Sequence, residues 1–169
     1  MKALQIGMGP FALMNATGVP VAYHAEKTLE HFGRLYKAAD MLKKQAEKKE
    51  DWEIVPVDES AIDLETKRII TERLMGVIYF VCSELLDEKV CTALELNRGA
   101  RIGLAWRKGP VDHMKKSGVE EVKKLVGKIA EKYDSPVPNS IGPDYWNIEL
   151  VKLTIYGQNA VITVNRPED

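Results

Sequence analysis

The chain has 169 residues, and its 24 Lys and Arg residues nearly balance its 25 Asp and Glu residues, for a formal net charge of −1. This length is sufficient to bury a core of ordinary size, and the balanced charge argues against a surface that binds nucleic acid or an anionic membrane through bulk electrostatics. The two cysteines favour reduced thiols and a cytoplasmic location, and the longest apolar stretch, residues 74–86, is too short to cross a bilayer.

Three short helices are predicted in the first third of the chain. Pro10 suits the first turn of a helix, and Gly18 ends that helix. A second helix begins at Pro20, and its expected buried face recurs every three or four residues, at Val21, Ala25, Leu29 and Phe32. A third helix runs from about Tyr36 to Lys49, with Leu35, Ala39, Leu42 and Ala46 on one side.

The middle of the chain is predicted to supply the central core element. After a connector over 52–60, the longest helix runs from Glu65 to Asp87. Apolar residues nearly surround it, as in a helix that is buried on most sides, at Ile70, Leu74, Val77, Ile78, Val81, Cys82, Leu85 and Leu86.

Three more helices are predicted before residue 134. Thr92 and Glu95 form a capping box for a short helix over Thr92–Arg98, with Gly99 as its stop. The next helix begins at Pro110 and ends at Gly118. The last has one apolar face, made of Val119, Val122, Val126, Ile129 and Tyr133.

The C-terminal part has a different character. Residues 134–143 contain three prolines and a glycine and are predicted to form a linker. Alternating apolar residues at Val151, Leu153 and Ile155, a turn at Gly157-Gln158-Asn159 and the run 160–164 predict one β-hairpin.

An internal repeat relates two parts of the chain at an offset of 100 residues without a gap. Gly9-Pro10 matches Gly109-Pro110, and Gly18-Val19 matches Gly118-Val119. Met14 also matches Met114, and Leu4 matches Leu104. We interpret this correspondence as a duplication, although short helical segments can also converge on the same caps.

The repeated element, Gly-Pro-Phe-Ala-Leu-Met-Asn-Ala-Thr-Gly-Val in its first copy, resembles the C-terminal helical domain of 3-hydroxyacyl-CoA dehydrogenases. The second copy resembles that domain from Arg73 through Gly103–Pro110 to Gly118-Val119. The C-terminal run Ala160–Glu168, Ala-Val-Ile-Thr-Val-Asn-Arg-Pro-Glu, looks like the opening hairpin of an enoyl-CoA hydratase domain of the crotonase type. Their order is similar to that in fused dehydrogenase/hydratase proteins of fatty-acid β-oxidation.

The resemblance implies an all-α fold of two related helical units, like the C-terminal domain of 6-phosphogluconate dehydrogenase, followed by a β-hairpin. The expected divisions are a first helical unit over 1–52, a second over 53–134, a linker over 135–147 and the opening hairpin of a hydratase-like domain over 148–169. Because the first unit begins partway through the family's pattern, we expect the chain to be a middle portion of a longer protein.

The family's reaction is the NAD-dependent oxidation of a 3-hydroxyacyl-CoA to the 3-oxoacyl-CoA. In the family, NAD is bound by a Rossmann domain that carries a His-Glu pair, and this sequence has no counterpart of that domain. The asparagine that precedes an arginine in the family is replaced by Glu72 before Arg73. The resemblance therefore implies that this chain has no cofactor and no catalytic residue of its own, is inactive alone, and supplies a homodimer or pseudo-dimer interface and one wall of the acyl-CoA cleft.

Four residues in the first copy are the candidate acyl-CoA contacts: Pro10, Phe11, Met14 and Asn15. They follow the turn at which the family approaches its substrate. The simpler interpretation is that Phe11 and Met14 belong to the core and that Gly9-Pro10 only begins a helix.

Three other features offer less specific chemistry. His113 beside Asp112 could act as a general base, but a surface histidine is the simpler interpretation. The basic residues Arg107, Lys108, Lys115 and Lys116 could attract a CoA phosphate at a helix N-terminus, but they also fit a solvated face. The histidines and cysteines lie at no metal-ligand spacing, so no metal site is predicted.

The alternative function is a helical interaction or DNA-binding module, because helix-turn-helix proteins also join short helices through glycine turns. The near-zero net charge and the lack of a basic recognition helix argue against DNA as the ligand.

Overall fold

A computed structural model describes residues 7–56, 58–147 and 151–164. In this part of the chain the structure is mostly helical and ends in two antiparallel strands, which agrees with the predicted all-α class and terminal hairpin. The predicted match of Leu4 to Leu104 and the predicted run Asn165–Glu168 involve positions outside the described residues.

The N-terminal helices form a small group with its own core. They are α1 (Pro10–Thr17), α2 (Val19–Leu29) and α3 (Asp40–Lys48), with single 3-10 turns at Glu30–Phe32 and Arg34–Tyr36. Pro10 lies in the first turn of α1, and Gly18 separates α1 from α2 at a φ of 93°, as predicted from the sequence. Val19, Leu42 and Ala46 are buried together, with Met14, Tyr23 and Trp52 packed against them.

The predicted buried face of α2 is wrong. Val21, Ala25, Leu29 and Phe32 are all exposed, and Phe32 retains 59% of its accessible surface. The carboxylates of Glu26 and Glu30 instead face the residues that precede α3. Glu30 accepts a hydrogen bond from the backbone N–H of Ala38 at 3.2 Å, and Glu26 accepts one from Ala39. Val19 and Tyr23 of α2 pack against the small core on this side, so the inward face of α2 is offset from the predicted one and carries Glu26 as well.

The third helix begins four residues later than predicted, at Asp40 rather than Tyr36. Leu42 and Ala46 are buried as expected, whereas Ala39 is exposed at the N-cap position. Leu35 lies outside this helix and packs against the main core. The 3-10 turn at Arg34–Tyr36 therefore connects the two cores.

The main core lies between α4 (Leu64–Asp87) and α7 (Val119–Tyr133). The Asp63 carboxylate caps α4 by accepting a hydrogen bond from Thr66 N–H at 2.8 Å. The buried apolar side chains include Tyr79, Phe80, Met114, Val122 and Val126. α4 and α7 each supply five of the buried residues of this core. Of the eight apolar positions predicted to surround α4, only Cys82 and Leu86 are fully buried, and Ile70 is 51% exposed.

The helices α4 and α7 approach closely at a glycine. A Cβ atom placed on Gly76 would lie 3.0 Å from Cγ1 of Ile129 and 3.2 Å from the Leu125 carbonyl oxygen. A larger residue fits here only if the Ile129 side chain and the Leu125 carbonyl give way by a few tenths of an ångström.

Two shorter helices pack beside this pair, α5 (Ala93–Gly103) and α6 (Pro110–Ser117). The predicted capping box of Thr92 and Glu95 is confirmed.

The predicted end of α5 at Gly99 is wrong, because the helix continues through this residue to Gly103. One glycine costs a helix only about 1 kcal/mol, which neighbouring turns can offset, and the helix ends where Leu104 N–H and Trp106 N–H both donate to the Ala100 carbonyl.

A buried asparagine connects α5 to α6. The Asn97 carbonyl oxygen accepts a hydrogen bond from Val111 N–H at 2.9 Å, and its amide donates to Asp112 at 3.0 Å. Gly109 lies directly against this side chain, so a Cβ atom there would overlap it. The start of α6 is thus fixed by a side-chain amide from the preceding helix.

The proline-rich segment after α7 packs on the helical body. Asp87, at the end of α4, accepts hydrogen bonds from Asn139 N–H at 2.8 Å and from the Ser140 hydroxyl at 2.6 Å. Ser140, Ile141 and Trp146 are buried, and Trp146 lies in the single helical turn α8 (Pro143–Trp146). The placement of a domain boundary within 135–147 stays a prediction.

The hairpin has the predicted strands, β1 (Val151–Tyr156) and β2 (Asn159–Val164). Tyr156 pairs with Asn159 across a two-residue turn in which Gly157 has a φ of 60°. The large apolar side chains described in the hairpin remain substantially exposed: Leu153, Ile155, Val161, Ile162 and Val164.

The two copies of the repeat have matching backbone geometry. The N-cap glycines Gly9 and Gly109 have φ, ψ values of −71°, 155° and −70°, 159°. Gly18 and Gly118 have positive φ values of 93° and 83° at the junction of the two helices. The helix pair α1–α2 therefore corresponds, residue for residue at its start, to the pair α6–α7.

Candidate functional site

An apolar groove of about 530 Å³ lies where the N-terminal helices contact the main helical body. Three separate segments line it: residues 7–13, the middle of α4 and the loop after α5. Its lining residues are Gly7, Met8, Pro10, Leu13, Leu74, Ile78, Gly103, Leu104, Ala105 and Trp106. A cleft of this size and composition is typical of a site for a small apolar group.

Backbone contacts bring the segments together. A Cβ atom on Gly7 would lie 3.3 Å from the Ala105 carbonyl oxygen, so the two loops touch closely there. Ala105 has a φ of 53°, in the region that favours glycine. This strained turn lets Leu104 and Trp106 both line the groove after the end of α5.

Among the described residues, the lining of the groove contains no titratable side chain. These residues can bind an aliphatic or neutral group through apolar contact, but they offer no proton donor, proton acceptor or charged anchor.

The four candidate residues separate onto two sides of α1. Pro10 lines the groove, and Leu13, one turn later, lines it as well. Phe11 packs against Trp52 with ring centroids 5.0 Å apart. Asn15 holds the Trp52 backbone from both sides, accepting from its N–H at 2.8 Å and donating to its carbonyl at 2.9 Å. Met14 packs against the small core of Val19, Leu42 and Ala46.

Most residues of the groove do not stand out in the sequence. Leu13 is the exception, since it lies three residues after Pro10. The spacing of Leu74 and Ile78 predicts a buried helix face but does not show which part of that apolar surface stays uncovered. Leu104 and Trp106 lie beyond the helix end that Gly99 predicts.

Glu72, which departs from the family's asparagine-arginine pattern, and Arg73, which keeps its arginine, are both engaged in other contacts. The Glu72 carboxylate pairs with Lys128 at 2.8 Å and with Arg68 at 2.5 Å, and these partners lower its pKa. Arg73 donates a hydrogen bond to the Tyr133 hydroxyl at 2.7 Å. The two residues thus link α4 to α7.

Other potentially reactive groups lie away from the groove. Burial raises the pKa of the Cys82 thiol to about 12, so the thiol is protonated at neutral pH. Burial, followed by the charges of Lys108 and Lys116, lowers the pKa of His113, which stays neutral. Asp112 is hydrogen-bonded to Asn97.

Among the described residues there is no group of three or more His, Cys, Asp or Glu side chains arranged to hold a metal ion. Within the same ranges, no helix has both the length and the apolar character that a bilayer span requires. Comparison with protein-family models, with curated proteins and with solved structures finds no match to this chain.

Proposed function

We propose that this chain is the helical portion of an NAD-dependent 3-hydroxyacyl-CoA dehydrogenase fused to an enoyl-CoA hydratase, as in fatty-acid β-oxidation. In this proposal the apolar groove forms part of the acyl-CoA cleft wall, and the chain is inactive alone. NAD would be bound by a separate Rossmann domain of the parent enzyme, and the whole protein would act in the cytoplasm.

The observation that carries the proposal is the repeated Gly-Pro to Gly-Val element, which resembles the family's helical domain. Pro10, at the start of the first copy, lines a groove without charged groups. Such a groove suits the aliphatic part of an acyl thioester, because apolar contact with a chain of methylene groups releases water from both surfaces.

Calorimetric titration of the chain with acetoacetyl-CoA tests this proposal. We expect binding of acetoacetyl-CoA and no NAD-dependent oxidation of 3-hydroxybutyryl-CoA. A Leu104→Gln variant should weaken binding about tenfold, since it puts a polar amide in the groove. An Ile102→Gln variant is the matched control, because Ile102 is 71% exposed and does not line the groove.

Three results would contradict the proposal. A titration in which acetoacetyl-CoA does not bind would show that the groove is not a site for this ligand. Equal weakening by Leu104→Gln and Ile102→Gln places the ligand elsewhere. NAD-dependent turnover by the chain alone would show that it contains catalytic groups.

The proposal includes a homodimer formed through the helical units. In α7, Leu125 and Ile129 pack against α4 around Gly76. The corresponding residues of α2 at the offset of 100 are Ala25 and Leu29, and both are exposed. We propose that a second copy of the chain covers this face of α2, together with Phe32.

A further inference from the structure

The described part of the chain consists of two groups of helices, each with its own core. The helices of the N-terminal group, α1, α2 and α3, pack mainly on one another, around Val19, Leu42 and Ala46. In the main group, α4 packs on α6 and α7 around the larger core. The two cores share no residue of the described ranges. Groups that meet through so little common packing are free to move relative to each other.

The segment that joins the two groups does not fix their relative position. Residues 51–56 form no helix or strand, and residues 53–56 are exposed. The next long helix begins only at Leu64. The arrangement of the groups is therefore set by noncovalent contacts between them.

One set of these contacts is made by the 3-10 turn after α2. Arg34 lies 3.6 Å from Asp134 at the end of α7, but both side chains are exposed, so their attraction is weak. Leu35 packs against the main core. The Tyr36 hydroxyl donates a hydrogen bond to the Glu84 carboxylate on α4. Because three consecutive side chains of this turn reach the main group, we call the turn the clasp.

A second set of contacts lies at the apolar groove. Residues 7–13 of the N-terminal group form one wall, and α4 and residues 103–106 of the main group form the other. The walls approach closely at Gly7, where a Cβ atom would lie 3.3 Å from the Ala105 carbonyl oxygen. Because each wall belongs to a different group, a movement of the N-terminal helices changes the width of the groove.

We propose that the clasp controls the groove: it holds the N-terminal helices against the main group and keeps the two walls at the distance at which they bind an apolar ligand. When the clasp is released, the walls separate and the ligand loses contact with one of them. A bound ligand and the clasp thus favour the same arrangement, and each strengthens the other. This coupling does not depend on which apolar compound fills the groove, so it holds or fails separately from the acyl-CoA proposal.

A disulfide between the two walls provides the test. A Cβ atom on Gly7 would lie 3.8 Å from the Cβ atom of Ala105, which is the usual separation in a disulfide. The full chain therefore receives Gly7→Cys and Ala105→Cys. It also receives Cys91→Ser, because Cys91 is only partly buried and would compete, whereas Cys82 is buried. Oxidation then fixes the walls together, and reduction frees them.

The first measurement is the equilibrium of this disulfide with reduced and oxidised glutathione, which gives the effective concentration of the two thiols. Adding Tyr36→Phe should lower that concentration about threefold or more, because the clasp loses its hydrogen bond to a carboxylate. Tyr133→Phe is the matched control. It also removes a hydroxyl that is hydrogen-bonded, to Arg73, but both residues belong to the main group, so the equilibrium should not change.

The second measurement is the affinity for N-phenyl-1-naphthylamine, a neutral apolar dye that fluoresces on binding. In the reduced protein, Tyr36→Phe should weaken dye binding about threefold or more, because the closed arrangement is less populated. In the oxidised protein the same substitution should have no effect, since the disulfide replaces the clasp. Leu104→Gln, which places an amide in the groove, identifies the part of the dye signal that comes from the groove.

Three results would overturn the proposal. A disulfide that does not form, or whose equilibrium is the same with Tyr36→Phe, would show that the clasp does not hold the walls together. Dye affinity that Tyr36→Phe leaves unchanged in the reduced protein would show that the groove is not coupled to the clasp. An equal loss in the reduced and oxidised proteins would show that Tyr36 acts without moving the walls. Failure of acetoacetyl-CoA to bind contradicts only the proposed function, because neither measurement uses that ligand.

Discussion

The hydrogen bond from the Tyr36 hydroxyl to the Glu84 carboxylate is one of the contacts that join the two helical groups. Tyr36 belongs to the 3-10 turn after α2, and Glu84 belongs to α4. Burial raises the pKa of Glu84, and the Tyr36 hydroxyl opposes that rise by donating to the carboxylate. The phenol therefore stabilises a charge that the surrounding protein disfavours.

A Tyr36→Phe variant should lose about 1 kcal/mol of unfolding free energy at pH 7, because Glu84 is then ionised without its donor. The pKa of Glu84 should rise further in this variant. A raised pKa in the folded state means stability that is present at low pH and lost as the pH rises through that pKa. The deficit should therefore shrink as the pH falls towards 4.5, the ordinary pKa of a glutamate.

Urea unfolding of both proteins across this pH range measures the effect. Tyr145→Phe is the matched control, because Tyr145 is 46% exposed and lies on α8, away from Glu84. A deficit that is constant with pH, or equal in the two variants, would show that Glu84 does not depend on the Tyr36 hydroxyl.

At the scale of the helix, the contact of α4 with α7 depends on the absence of a side chain at Gly76. Gly76→Ala should destabilise the fold by about 1–3 kcal/mol, because the new methyl group would press on Ile129 and on the Leu125 carbonyl.

Gly99→Ala should instead stabilise the fold and raise the free energy of unfolding by about 0.5–1 kcal/mol. Gly99 lies within α5 and has no atom near its vacant Cβ position, so alanine only restricts the unfolded chain.

Thermal unfolding of the two variants and of the parent chain measures both changes in stability. A Gly76→Ala variant as stable as the parent would show that α7 can shift away from α4 without cost. A destabilised Gly99→Ala variant would mean that the α5 helix does not pass through that position as described.

The sequence predicts helices well where their ends carry local chemistry. Pro10 and Gly18 fix α1, and the capping box of Thr92 and Glu95 fixes the start of α5. The sequence predicts the buried face of a helix poorly where polar side chains point inward. The apolar residues of α2 suggested one buried stripe, but the inward face of this helix is offset from that stripe and carries Glu26 as well.

Sequence patterns do not predict the groove, for a different reason. Its walls come from residues 7–13, from Leu74 and Ile78, and from residues 103–106. No periodicity relates three segments so far apart in the chain, and their meeting depends on the close approach of Gly7 to Ala105. Only Pro10 of the four candidate residues reaches the groove.

For the whole molecule, the exposed face of α2 predicts association. Light scattering over a range of protein concentrations should show a monomer–dimer equilibrium. Leu29 at the end of α2 and Phe32 in the 3-10 turn after it are exposed, whereas α7, the counterpart of α2, is covered by α4. Leu29→Glu should shift the equilibrium towards the monomer, since a charge in the interface would lose its water.

Val90→Glu is the matched control for that shift, because Val90 is 63% exposed and lies outside α2. A monomer mass that does not change with concentration would contradict the dimer. A shift of the same size in both variants would place the contact on a different surface.

The hydrogen bonds that Asp87 accepts from Asn139 and Ser140 fix the course of the chain between α7 and α8. Ser135 N–H donates to the Ala130 carbonyl at one end of the segment, and Asn139 and Ser140 bind Asp87 at the other. Residues 136 and 137 are the exposed stretch between these two anchor points, whereas Pro138 is buried. Insertions and deletions should therefore be tolerated at 136–137 and rejected at 138–140, so a domain joined after Trp146 would keep the same point of attachment in proteins whose linkers differ in length.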